Sequence, residues 1–523
     1  MSDVAQAPSG RRQWKPGEKA DGSDWLTVFA GTLGALMATL DISITNSALP
    51  TIQGAIGASS TEATWISTAY LVPEIIMIPL TGWFTRMLGL RTFLLIMTVL
   101  FVVFSMMCGI SDTLGSMIVG RIGQGFTGGA MIPTAMTIVS TRLPPAQRPV
   151  GMALFGFTAV MGPVLGPLLG GWLTEAVSWH YAFFINLPVG IFLTGLLFVG
   201  MKHTPARLQV LKEADWLGII GMSVGLGCLT VVLEEGQREN WFQSETIVLL
   251  SVLTAIGIFL LLVGQVYARR PVIDLSILLQ REFGSVFIMA LLLGAALYGM
   301  AYMIPQFLAS IADYNSLQSG IIVLISGLPT LAMMPFIPIL VKTIDLRGAV
   351  IFGFCMYALS CWVDTELTAN ATGADFYLSQ VLRGLGQGFS MLFLNQAASS
   401  SVPDEKAEDA SGLFNAARNL GGSIGLAMIA TLQARRSAFH GERLSEQITT
   451  NSPQVQHLLD QYSGTPQGTE SVLSYLSQLI HVQALVMTYN DIFYLYALAL
   501  IVVMPLALIL RPLPKGQAPS ATH

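Results

Sequence analysis

The chain has 523 residues and a mass of 56.2 kDa, with 53% hydrophobic residues, 11% charged residues and a mean hydropathy of +0.63. A soluble domain carries about 25% charge, so a cytosolic globular protein is excluded, as is a disordered chain. The net charge of -5 excludes a basic nucleic-acid binder, and no nucleic-acid partner is expected. The composition is that of an all-α polytopic membrane protein, with the lipid bilayer as its first partner.

The chain opens on a polar stretch with Arg11, Arg12, Lys15 and Lys19. Its first apolar run continues past signal-peptide length, so no cleavable signal is expected. About 20 apolar residues cross the hydrocarbon core. Fourteen stretches qualify: 25–50, 62–82, 92–111, 113–138, 149–174, 181–201, 215–234, 245–267, 284–309, 317–340, 348–366, 374–400, 408–432 and 490–511. Several hold Gly and Pro, which packed membrane helices tolerate. With the N-terminus in the cytoplasm, only Arg238, Arg435, Arg436 and Arg443 of the 26 basic residues lie outside, while Arg121, Arg383 and Arg418 remain within spans. This bias places both termini in the cytoplasm, because an odd number of spans would scramble it. Cys108, Cys228, Cys355 and Cys361 all lie in apolar runs and form no disulfide framework.

The sequence repeats. Gly82-Trp-Phe-Thr-Arg86-Met-Leu-Gly-Leu-Arg91 returns as Pro338-Ile-Leu-Val-Lys342-Thr-Ile-Asp-Leu-Arg347, with basic residues at equivalent places. Gly123-Gln124-Gly125-Phe126 returns as Gly386-Gln387-Gly388-Phe389, each tetrad following an intramembrane arginine, Arg121 or Arg383. The first pair follows the second and tenth spans, and the second pair lies in the fourth and twelfth. Both matches therefore shift by eight spans, so two extra spans, 215–234 and 245–267, separate two halves of six. The expected organisation is a cytoplasmic tail 1–24, an N-terminal six-helix bundle 25–201, a linker 202–283 with the two extra helices, a C-terminal six-helix bundle 284–511 with a long outside loop 433–489, and a tail 512–523. Parallel six-helix repeats place a transport site between the halves near midplane.

Charges within hydrocarbon are costly and point to function. Asp41, nine residues before Pro50, sits about 13 Å from the outer end of its span. Helical spacing puts Thr45 and Asn46 on its face. Glu74 lies about midway through the second span, and Arg121 about one-third into the fourth. Burial favours the neutral form of such a carboxylate and a nearby cation the charged form, so it can bind a proton in one conformation and release it in another. All six His lie in loops or near span ends, which leaves proton coupling to Asp41 and Glu74. Arg121 is either their tuning partner or half of a fixed clamp. Gln124, Arg383, Gln387, Asn415 and Arg418 are further polar residues expected at the cavity or its motifs, and Arg418, near Asn415 and Asn419, reads as a packing or gate residue. In the fifth span, Gly162, Gly166 and Gly170 form a smooth stripe, with Gly171 beside it, for close helix approach, and Pro163 and Pro167 bend the helix.

These residues resemble the major facilitator superfamily, in its fourteen-helix group of drug/proton antiporters, and more narrowly the EmrB type of multidrug exporter. Leu40-Asp41 through Asn46, Ala48 and Pro50 resemble that group's first-helix motif. Arg121-Ile-Gly-Gln124-Gly125 resembles motif B, and the stretch Gly162–Gly171 is similar to the antiporter motif C. Trp179 through Gly190, Pro271–Leu275 and Arg418-Asn-Leu-Gly-Gly-Ser423-Ile-Gly425 also match. One departure stands out: Arg86 occupies the place where superfamily motif A carries Asp, which puts the usual inner-gate ion pair in question.

The resemblance covers about residues 25–511. It implies a major facilitator fold of two six-helix bundles plus two extra central helices, and proton-driven export with Asp41 the coupling acid and Arg121 beside it. It further implies hydrophobic or amphipathic small-molecule substrates, no cofactor beyond the proton gradient, no metal, and an inner (plasma) membrane location. A periplasmic adaptor of the EmrA type and an outer-membrane channel are the implied partners. The loop 433–489, with its amphipathic stretch Val472 to Met487, is read as an adaptor dock or as a folded cap.

Other classes fit less well. No lysine follows a glycine, so no phosphate-cradling Gly-Lys loop exists for ATP-driven transport. A membrane enzyme lacks a metal-ligand cluster or nucleophile motif in its spans. A proton symporter importing a metabolite shares the repeat but not the fifth-span stripe. The expected mechanism is alternating access, with a proton taken up on Asp41, relayed by Glu74, and a Met- and aromatic-lined cavity giving loose specificity.

Overall fold

The computed structural model describes residues 18–144, 146–202, 205–211, 214–268, 271–333, 336, 339–340, 343–403, 406–447, 456 and 468–510. Arg11, Arg12, Lys15, Lys212, Arg269, Arg270, Lys342, Arg511 and Lys515, the tail 512–523, and the loop segments 448–455 and 457–467 lie outside the described residues. So does the side chain of Pro163.

Helices dominate, and among the described residues there is no strand. In chain order they are α1 Gly22–Ile56, α2 Ser60–Leu88, α3 Leu90–Gly109, α4 Leu114–Arg142, α5 Arg148–Ala176, α6 Tyr181–Phe184, α7 Asn186–Gly200, α8 Trp216–Glu235, α9 Glu245–Tyr267, α10 Arg281–Ile311, α11 Ser316–Leu324, α12 Gly327–Met333, α13 Leu346–Val363, α14 Tyr377–Ser400, α15 Ala407–Gln447 and α16 Gly468–Val503. Among the described residues, nine helices are long and apolar enough to cross a membrane. Their starts are written locally. Asp21 and Asp24 form a reciprocal capping box on α1, and Ser59 and Glu62 form another on α2.

Two of the expected spans are interrupted, and proline explains both. Pro188 cannot donate to Phe184, four residues back, and the span 181–201 breaks at Ile185 between α6 and α7. Pro329 stands in the same relation to Ile325, where α11 and α12 separate. The region read as the outside loop 433–489 is different again. Its described residues are helical: α15 runs on to Gln447, and α16 begins at Gly468. Arg436 Nε and His440 Nε2 reach back to Asp491 at 2.7 and 2.8 Å, tying the two helices together.

Packing repeats along the chain. α1 lies along α5, and α10 lies along α15 in the same way, while α3 with α4 is matched by α13 with α14. α8 and α9 form a hairpin whose backbones touch through Gly221, Gly225 and Gly257. α8 seats against α2 and α15, where Glu235 accepts from Thr64 and Thr68 and its neighbour Glu234 faces Ser423. The outer side of α9 presents Val252, Ile256, Phe259, Leu262 and Val266 to the surroundings. So large an apolar surface suits hydrocarbon rather than water.

Candidate functional site: a buried carboxylate–arginine network

Asp41 on α1 and Arg121 on α4 are both inaccessible to solvent. Asp41 Oδ2 meets Arg121 Nη1 at 2.6 Å. The other carboxylate oxygen, Oδ1, accepts from Gln124 Nε2 at 2.9 Å and from Asn186 Nδ2 at 2.7 Å. Gln124 sits one turn after Arg121, and its Oε1 accepts from Arg121 at 3.1 Å. Ser105 on α3 closes the ring, accepting from Gln124 and Asn186 at 3.0 and 2.8 Å and donating to the Phe183 carbonyl at 2.9 Å. Arg121 Nε donates to the Ile66 carbonyl at 3.1 Å, and the guanidinium lies 4.3 Å from the centre of the Tyr70 ring. Six helices, α1 to α4, α6 and α7, thus contribute to one polar network.

Local folding places the parts. The proline break before α7 puts Asn186 at a helix start, aimed inward, beside the Phe183 carbonyl that Ser105 occupies. The Asp41 carboxylate carries three short bonds in this conformation. A proton on Asp41 would cancel the charge that holds Arg121 and turn an acceptor into a donor. A proton on Oδ1 would face the amide donors of Gln124 and Asn186, which would then have to turn away.

Of the other expected residues, Thr45 and Glu74 are buried, and Asn46 is not on the face of Asp41. Thr45 is buried but donates to the main-chain oxygen of Asp41 at 2.8 Å, not to its carboxylate. Asn46 is exposed and accepts from Ser67 on α2 at 2.7 Å. Five residues turn a helix through about 140°, which carries Asn46 off the face of Asp41. Glu74, also buried, does not hydrogen-bond to Asp41: its Oε1 accepts from Asn419 Nδ2 on α15 at 3.2 Å, across to the second repeat. Asn186, Ser105 and Tyr70 were not named as site residues. Asn186 lies in a stretch whose motif was recognised, and only its two neutral amide donors mark it.

The glycines of α5 pack as a stripe. A Cβ at Gly162, Gly166 or Gly170 would collide with Thr39, Ser43 or Ser47, small residues spaced by four along α1. Ser47 Oγ also donates to the Pro167 carbonyl at 3.4 Å. Asp41 is therefore carried on the helix that α5 grips. On its other face α5 meets α11, with Gly320 against the backbone at Pro167 and Leu168. Gly171 is buried as well.

Around Arg418 on α15 the polar groups are sparser. Its Nη2 donates to Asn419 Oδ1 at 3.4 Å, while Nε and Nη1 have no partner, although the residue is 2% exposed. Asn419 thus links Arg418 to Glu74. Asn415 Nδ2 donates back to the Ser411 carbonyl at 2.9 Å. In α14, Arg383 Nη2 meets Asp364 Oδ2 at 2.6 Å, with both side chains buried. Gln387 Nε2 reaches the Ser326 carbonyl at 3.5 Å, beside the break before α12. A cavity of about 20 Å³ is lined by Val164, Met300, Tyr357, Gln380, Arg383 and Gln387 among others. That is room for about one water.

The Major Facilitator Superfamily family model matches residues 31–426. The chain belongs to that superfamily. It is 32% identical over 483 residues to the colistin resistance protein EmrB of Acinetobacter baumannii, covering 91% of this chain and 94% of the relative. It is 30% identical over 491 residues to the multidrug export protein EmrB of Escherichia coli, covering 93% and 95%. The peptide transporter POT superposes with a TM-score of 0.58 at 15% identity, over 96% of this chain and 98% of that one, which shows the shared fold. Superfamily membership makes the chain a multi-pass membrane transporter and not an enzyme.

The superfamily's motif A position can now be placed. Arg86, where Asp is usual, lies 3.7 Å from Asp409 near the start of α15, and its Nη2 donates to the Val272 carbonyl at 3.3 Å. Next to it Lys406 Nζ meets Asp274 Oδ2 at 2.5 Å. Arg86 therefore has an acidic partner on α15, and the segment 271–275 lies between Arg86 and Lys406. Burial pushes the Asp274 carboxyl up, but the bonds from Lys406 and Ser276 outweigh it and hold the group below its ordinary value.

Proposed function

We propose that this protein is a proton-coupled exporter of hydrophobic or amphipathic small molecules, working by alternating access of two six-helix bundles, with α8 and α9 as two extra central helices in a fourteen-helix arrangement. The relatives named for multidrug export and colistin resistance support the substrate class. The observation that carries the reading is the sealed Asp41–Arg121 pair at 2.6 Å, held by Gln124 and Asn186 on the helix that the α5 stripe grips. A proton entering from outside neutralises Asp41, releases Arg121 and lets α1 shift along α5. Its discharge inward restores the pair. Glu74, tied to the second repeat through Asn419, carries that change across the interface.

The test is Asp41→Asn in proteoliposomes under an imposed pH gradient, which is expected to abolish substrate efflux. Efflux at the wild-type rate would overturn the coupling assignment, and inward accumulation driven by the same gradient would favour a symporter.

The basic-residue bias supports an inner-membrane location with both termini cytoplasmic. On that topology the hairpin of α15 and α16 projects outward, and we assign it the docking of a periplasmic EmrA-type adaptor that leads to an outer-membrane channel. Deleting 440–480 is expected to abolish co-purification with the adaptor. Undiminished co-purification would rule the hairpin out as the dock.

A further inference from the structure

The second repeat carries its own acid–arginine pair. Arg383 lies about two turns into α14, as Arg121 does into α4. Its acid is contributed by the helix before it, at the end of α13, rather than by the first helix of the repeat. Asp364 is 0% exposed and Arg383 is 3% exposed, so the pair has no contact with solvent in this conformation.

The pair is conspicuously unfilled. Asp364 Oδ1 and Arg383 Nε have no hydrogen-bond partner, and neither do Gln380 Nε2 and Tyr357 Oη beside them. Arg383 Nη1 reaches Gln380 Oε1 only at 3.4 Å. The Ser379 hydroxyl donates to the Phe376 carbonyl at 3.0 Å and also lies within reach of Asp364, as the one neutral donor beside it. An ion pair kept only to hold helices together gains from having its remaining atoms bonded, because each buried polar atom left bare is costly. Of the residues with bare atoms, Arg383, Gln380 and Tyr357 line a small cavity, and Asp364 is bonded to Arg383 behind it.

We propose that Asp364 is a second proton-binding carboxylate of the transport cycle, taking a proton on Oδ1 while Oδ2 faces Arg383. This rests on the proton-coupled reading above. The step balances simply: one hydrogen ion from outside converts the carboxylate to the neutral acid, and the same ion leaves inward. Arg383 is the cation that Asp364 faces. Cys361 and Tyr357 on α13 and Tyr496 on α16 are the other titratable groups packed around the pair. With Asp364 neutral, Arg383 is freed toward the cavity, where it can meet an electron-rich group of a bound molecule. The two repeats would then each load a proton, one at Asp41 and one at Asp364.

Infrared difference spectroscopy of the full-length protein in lipid tests this, comparing the two pH values used to drive transport. A protonated carboxyl group gives a carbonyl band that shifts in heavy water. The wild type should show bands from both acids, and Asp364→Asn should delete one that Asp41→Asn leaves in place. Asp364→Glu keeps an acid and should move that band. A spectrum unchanged by both Asp364 substitutions overturns the assignment. Wild-type efflux from Asp41→Asn would overturn the proton-coupled reading instead, so the two failures are distinguishable.

Discussion

The two acid–arginine pairs share a contact distance, burial and one unpartnered guanidinium nitrogen each, and differ in how their carboxylates are bonded. At Asp41 both carboxylate oxygens are filled, and Gln124 and Ser105 use their hydrogen-bonding groups within the ring. At Asp364 one oxygen is bare, while each guanidinium keeps one nitrogen without a partner, Arg121 Nη2 in the first pair and Arg383 Nε in the second. A closed network has one arrangement and resists change until a proton breaks it. An open one already tolerates incomplete bonding and can accept a new partner without first losing an old one. The repeat therefore duplicates the arginine but not its surroundings; on the readings proposed above, the first pair acts as a switch between helices and the second as a proton receptor.

Removing the arginines separates the two most strongly. Arg121→Ala leaves Asp41 buried beside amide donors that do not replace a cation, and breaking such a pair costs about 3–5 kcal/mol. Arg383→Ala should fall at the lower end, about 3 kcal/mol, because Asp364 already lacks one bond and the adjacent cavity can admit water. Unfolding of the two variants in matched lipid particles measures the difference. Equal losses, or a larger loss from Arg383→Ala, would mean that the open pair is as tightly built as the closed one.

What the sequence could say about these pairs follows from charge and position. Asp41 and Arg121 stand alone in long apolar runs, so each was visible as a cost that needed a partner. Asp364 is also acidic and lies within the stretch 348–366, but only two residues from its end, where a charge can reach the interface and need not signal a buried partner. Asn186 and Ser105 carry no charge, and neutral polar residues in Gly- and Pro-rich helices give no periodic signal. Their role emerges only when a proline break turns α7 toward α1. Spacing misled at Asn46, where being five residues from Asp41 was taken as sharing its face. The helical class and the superfamily were legible because both rest on apolar length and repeated motifs. The extent of α15 and α16 was not, because their outer turns are polar and resemble a loop by composition.

The weakest effect is expected where the halves meet in water's reach. Lys406 and Asp274 are 2.5 Å apart but keep 38% and 24% of their side-chain surface exposed. Pairs of that kind contribute about 0–1 kcal/mol and weaken with salt, unlike the two buried pairs. The pH dependence has a definite sign. Because the folded-state value of Asp274 lies below its ordinary 3.8, the contribution is present above that pH and is lost as pH falls through the lower folded value. Asp274→Asn should therefore cost at most about 1 kcal/mol at neutral pH, less in high salt, and nothing once the wild-type carboxyl is itself protonated. Unfolding measured at neutral and at strongly acid pH, with and without salt, checks this. A loss that persists unchanged in acid would mean that the segment 271–275 is held by its backbone contact to Arg86 and its apolar packing, with the charge pair playing no part.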